Sequence, residues 1–114
     1  MLGTFIGDSL GAGLEFRQDD ISEEELDNAL NMVAPHRYSL NPGHVTDDTE
    51  MSMCQMKGLL AGKGQFDLFQ IALYYGHWVA SGPTDMGTTT RNGLSILAEN
   101  LHNPDPNLAH TAAY

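Results

Sequence analysis

The chain is short of basic side chains and of cysteine. Five lysines and arginines stand against fifteen aspartates and glutamates in 114 residues, a formal net charge of -10 at pH 7. Such a surface repels nucleic acid and anionic lipid at long range, so neither is expected as a partner. It would also repel an anionic small substrate unless bound cations inverted the local sign, and a divalent metal would reconcile it with a phosphorylated ligand. Cys54 is the single cysteine, which excludes an intrachain disulfide and is compatible with a reducing compartment. No apolar run approaches the roughly 20 residues of a membrane-spanning helix. The opening MLGTFIGDSLG has no basic leader and carries Asp8, unlike a secretory signal. A cytoplasmic protein with one core is expected.

Alternating β patterns, internal repeats and low-complexity stretches are missing too; helical periodicity takes their place. Leu2, Ile6, Leu10 and Leu14 recur four apart beside a row of Gly3, Gly7 and Gly11, which predicts a first helix packed closely inside a helical core. Ser22 as N-cap, Glu25 completing a capping box, and Ile21 set to meet Leu26 predict a second helix, ended by Pro35. Glu23, Glu24 and Glu25 suit the positive end of its dipole and read as a solvated first turn without a catalytic role. A turn-rich loop over residues 34–45 leads to a third helix from Thr46 or Asp47 to about Ala61, stopped by GKG. Asp67 and Gln70 make another capping box for a fourth helix, whose Leu68, Ile71, Ala72, Tyr75, Trp78 and Val79 predict one buried face. Leu94, Leu97, Ala98 and Leu101 mark a fifth after the break SGPTDMG, and Asp105 with Pro106 opens a sixth running to Tyr114. The expected fold is all-α: an orthogonal bundle of about five to six helices, one domain over residues 1–114.

Several chemistries find no residues. GLLAGKG has one residue too few between its glycines, and no Ser or Thr after Lys63, for a nucleoside-triphosphate loop. GAGLEF begins like a dinucleotide fingerprint, but Phe16 replaces the third glycine and no strand precedes it. His36, His44, His77, His102 and His110 show no helical zinc-protease spacing and read as surface or partly buried side chains. No serine sits in a nucleophile elbow, and Cys54 on an apolar helix face reads as a buried, inert thiol.

The stretch TDDT at 46–49 is different. Taken alone it is an ordinary helix start, with Thr46 as cap and Asp47 and Asp48 complementing the dipole. Successive residues diverge by about 100° on a helix, so the two carboxylates could also hold or bridge two cations. With the Thr46 hydroxyl, this all-oxygen set suits Mg²⁺ or Mn²⁺ better than zinc. Three side chains do not complete two six-coordinate shells.

Three segments together resemble the ADP-ribosylglycohydrolase family, which includes the dinitrogenase-reductase-activating glycohydrolases: GDSLGAGLEF at 7–16, TDDTEM at 46–51 and SGPTDMGTTTR at 81–91, in the family's order. The resemblance implies an all-helical hydrolase that uses two Mg²⁺ or Mn²⁺ ions to cleave ADP-ribose from its acceptor. The substrate would be an ADP-ribosylated protein or a small ADP-ribose conjugate. By the same resemblance Thr46, Asp47 and Asp48 match the amino-proximal metal ligands, and Glu15 matches an acid that gates or activates the site. The two aspartates join Glu15 as the catalytic carboxylates. Asp85 and Gly87 match the loop beside the bound ribose. Asp8 belongs to the first motif, with direct contact and hydrogen bonding to another ligand both open. Asp85 has a plainer reading as a turn residue that tolerates awkward backbone angles.

The family's second metal-ligand group, Asp-x-Asp-Thr, has no counterpart, and NPDPN sets its acid and prolines in another pattern. The Gly/Ser-rich phosphate cradle is missing as well. The expectation is therefore a truncated front part of a larger all-α fold, inactive or impaired as it stands and weak in metal binding. Apolar faces over residues 1–15 and 67–80 would be left uncovered, inviting self-association. The alternative is a non-catalytic fragment or acidic helical binding module that keeps the front-half motifs.

Overall fold

The computed structural model describes residues 1–33 and 41–107. Its regular elements are all helices: α1 (Leu2–Gly11), α2 (Glu23–Leu30), α3 (Asp47–Ala61), α4 (Leu68–Ala80) and α5 (Thr88–Glu99). The all-α class expected from the sequence is thus the one observed. No helix among the described residues is long and apolar enough to cross a membrane. The chain divides into two compact units, Met1–Thr49 and Glu50–Tyr114, with the division in the first turn of α3. Pro35, His36 and His110, and most of the expected sixth helix, lie outside the described residues. That helix's expected opening is present: Asp105 Oδ1 accepts from the Asn107 N–H at 2.9 Å.

In the first unit, α1 ends at Gly11 and a turn follows as far as Phe16, so Glu15 stands in the turn and not on the helix. None of α1's residues is buried, and Leu2 and Ile6 are exposed. The glycine row departs from its expected close packing. A Cβ built at Gly3, Gly7 or Gly11 would meet nothing within 4 Å. Small residues permit a close approach but do not supply the partner that makes one.

The local signals of α2 are realised in full. Ser22 Oγ accepts the Glu25 N–H at 3.3 Å, and Glu25 Oε2 takes the Ser22 N–H at 3.0 Å. Arg17 forms an ion pair with the same carboxylate. The helix stops at Leu30, ahead of the proline expected to end it. The Val33 N–H reaches the Asn28 carbonyl, the Met32 N–H reaches Ala29, and Met32 takes the left-handed conformation at φ 55. This is a Schellman ending, which satisfies the last carbonyls with no proline.

The second unit carries the packed core. Asp67 caps α4 by accepting the backbone N–H groups of Phe69 and Gln70 at 3.0 and 3.2 Å. Cys54, Trp78 and Met86 form one buried cluster, with Tyr74, Tyr75 and Leu94 against it. Ala72 and Leu97 form a second, flanked by Leu68 and Ile96. α3 comes so near α4 that a Cβ on Gly58 would lie 2.6 Å from Ile71 Cα. The uncovered face expected over 67–80 is therefore not found, because α3 and α5 cover α4. α3 itself ends in a second Schellman motif: Lys63 takes φ 53, its N–H reaches Leu60, and the Gly64 N–H reaches Leu59.

Candidate functional site

The entrance to α3 is held by α1. Thr46, 3% exposed, donates its backbone N–H to Asp8 Oδ2 at 2.9 Å and its hydroxyl to Asp8 Oδ1 at 2.5 Å. Both oxygens of one carboxylate thus engage one residue. Burial alone would raise the Asp8 carboxyl. The Thr46 hydrogen bonds, with the neighbouring groups of Thr49, outweigh burial and hold it below its ordinary value of 3.8. The Thr49 hydroxyl, in a residue only 2% exposed, has no partner at hydrogen-bonding geometry among the described residues.

Asp47 is half-buried and Asp48 exposed in the first turn of α3. A helix N-terminus is equivalent to about half a positive charge, and Asp47 and Asp48 place two carboxylates in the first turn of this one. Acids at a helix start are ordinary dipole complementation, and α2 carries Glu23, Glu24 and Glu25 in the same place. Among the described residues, no group of three or more His, Cys, Asp or Glu side chains is gathered to hold a metal ion.

Glu15 is exposed in the turn after α1. Asp85 and Gly87 lie in the second unit, in the connection from α4 to α5, Asp85 half-buried and Gly87 as the N-cap of α5. Awkward backbone angles do not explain Asp85, since the positive φ of that connection belongs to Gly82, at 72. Gly87 has an ordinary φ of -60, and a Cβ there would meet only Thr90 Oγ1, at 3.9 Å. Neither backbone strain nor packing among the described residues demands glycine at that position.

One residue given no role in the sequence also matters. Glu50 Oε2 accepts the Trp78 indole N–H at 2.6 Å, joining α3 to α4 directly after the acidic motif. A buried tryptophan needs an acceptor for its N–H, and that need was the available signal. An open groove of about 370 Å³ runs beside this bond, lined by Glu50, Cys54, Lys57, Tyr74 and His77 among others, and by none of the expected site residues. Cys54 is buried as expected, and burial pushes its thiol up.

Comparison with known proteins places these motifs in context. The profile of the ADP-ribosylglycohydrolase family matches residues 1–113. The ADP-ribosyl-[dinitrogen reductase] glycohydrolase of Rhodospirillum rubrum is 37% identical over 93 residues, covering 82% of this chain and 31% of the relative. A relative from Acanthamoeba polyphaga mimivirus is 35% identical over 99 residues, 83% of this chain and 30% of its own. An ADP-ribosylarginine hydrolase of Serratia proteamaculans is 32% identical over 123 residues, 99% of this chain and 32% of its own. The chain thus spans about 30% of the length of the curated relatives it matches. The match spans Asp8, Thr46 and the connection that holds Asp85: the chain belongs to the ADP-ribosylglycohydrolase family.

Proposed function

We propose that this chain supplies the amino-proximal part of a divalent-cation site that hydrolyses the glycosidic bond between ADP-ribose and an acceptor on a cytoplasmic protein or small conjugate. The observation that carries the reading is the Thr46 hydroxyl, whose proton Asp8 already accepts, at the head of a helix whose first turn holds Asp47 and Asp48. A hydroxyl that gives its proton away keeps its lone pairs for another partner. Thr46, Asp47 and Asp48 therefore fit a hard divalent ion such as Mg²⁺ or Mn²⁺ in kind, though not in number.

When bound, such ions would offset the pyrophosphate charge, orient ribose hydroxyls and acidify water. The chain's own residues do the rest. Asp47 and Asp48 hold the charge at a helix end that Asp8 keeps rigid. A carboxylate, Asp47, Asp48 or the exposed Glu15, accepts the proton of the attacking water as the bond passes through an oxocarbenium-like state. Asp85 accepts from the ribose, and Gly87 leaves room beside it, which accounts for a glycine that its own backbone does not require. The printed substrates of the relatives, ADP-ribosylated dinitrogen reductase and ADP-ribosylarginine, support an ADP-ribosylated protein side chain as acceptor.

A non-catalytic binding role is favoured by one observation, the lack of a third gathered carboxylate among the described residues. The two readings separate when this chain replaces the matching segment of the Rhodospirillum rubrum relative. Free ADP-ribose should be released from a modified protein, and either EDTA or Asp48→Ala should abolish the release. Release that survives both EDTA and Asp48→Ala would overturn the proposal. A folded chimera that binds the modified protein without cleaving it supports the binding role.

A further inference from the structure

We infer that the open groove between α3 and α4 receives α2 from a second copy of this chain, with Leu26 and Leu30 on its apolar floor and Asp27 against Lys57. On the groove side, Cys54 and Trp78 are buried, Tyr74 is half-buried and Met53 is 40% exposed, so the floor is apolar. Its volume of about 370 Å³ leaves room for side chains from outside. Glu50 is the one carboxylate in the lining, and the Trp78 indole N–H already engages it. Lys57 lies two turns further along α3, about 10 Å away at 1.5 Å per residue. It is exposed and in no ion pair among the described residues. On the helix side, α2 buries only Ala29, while Leu26 and Leu30 stay 48% and 61% exposed. Leu26, Asp27 and Leu30 fall within about 100° of arc, so one exposed face carries two leucines with an acid at their edge. An apolar pair at i and i+4 is the form in which a helix enters an apolar groove.

Charge favours this pairing over a contact between two apolar faces alone. A chain of net charge -10 repels its own copies, so a contact between them is favoured where one of its few cations meets an acid. Arg17 is taken by Glu25 of its own chain, whereas Lys57 borders an apolar groove. The contact needs neither a metal nor the acidic start of α3.

Sedimentation of the 114-residue chain over a range of concentrations tests the contact by charge reversal, with circular dichroism following the helices of each variant. Lys57, Asp27 and Leu30 are all exposed, which suits them to substitution. The unaltered chain should associate. Lys57→Glu or Asp27→Lys alone sets like charges together and should weaken association at least about tenfold. Leu30→Ser should weaken it by about tenfold to a hundredfold through lost apolar burial. An equimolar mixture of Lys57→Glu and Asp27→Lys should return to within about threefold of the unaltered chain, because opposite charges then meet only between the two different variants. If Asp27→Lys loses its helix, Lys57→Glu and Leu30→Ser decide the question. A monomer at every concentration, single variants that associate like the unaltered chain, or a mixture of folded variants as weak as its components would each overturn the inference.

Discussion

Thr46 and Asp8 are 38 residues apart in the chain, and their paired hydrogen bonds mark the point at which sequence reasoning loses sight of the site. The capping box at Ser22 and Glu25 was legible because it closes over three residues; a bond between α1 and the start of α3 depends on how two helices meet. Glu25 also gives the residue scale its pH prediction. The Ser22 N–H first, then the Ser22 hydroxyl and Arg17, hold its carboxyl below its ordinary value of 4.5. A depressed folded pKa contributes stability that is present above the unfolded value and lost as pH falls through the folded one. The Ser22 and Glu25 amide resonances should therefore shift below pH 4.5, whereas Glu25→Gln should hold them constant through that range. Cys54, raised by burial, should react with iodoacetamide at least about tenfold more slowly in the folded chain than in denaturant. Equal rates would place the thiol at the surface.

Helix boundaries were read well where a polar cap announces them, as at Asp67, and less well where the backbone itself makes the stop. Met32 and Lys63 occupy left-handed positions that glycine would ordinarily take, so neither ending carries a clear residue signature. Gly58 was equally silent in the sequence, being one glycine inside a helical run. Its meaning is the approach of α3 to α4. Gly58→Ala should lower the melting temperature, because a methyl group 2.6 Å from the Ile71 Cα displaces backbone, an overpacking cost of about 1–3 kcal/mol against a helix-propensity gain near ~1 kcal/mol. A higher melting temperature would mean the two helices are not in that contact. Glu50→Ala strips the Trp78 indole N–H of its acceptor and should destabilise the chain by about 1–3 kcal/mol, more than Glu50→Gln, which keeps an acceptor oxygen. Urea denaturation of the two variants measures the difference.

For the whole molecule, composition and periodicity were enough to fix the class as all-α, and the order of three motifs was enough to identify the family. The distribution of exposed apolar side chains was not readable, because helical period says which residues share a face and not what covers it. Leu2, Ile6, Phe16, Leu26 and Leu30 all stand exposed in the first unit, whereas the large apolar residues of α4 are buried or half-buried. Such a surface favours association. The chain should run at an apparent mass that rises with concentration in sedimentation, and a sharply melting monomer across that range would count against it.

The account depends on the two neighbouring carboxylates at the start of α3 serving a cation and not merely the helix dipole. Titrating Mn²⁺ into the chain and into its Asp47→Asn, Asp48→Asn double variant tests this most directly. Weak but measurable binding that disappears in the variant is the predicted result; the same affinity in both proteins would contradict the account.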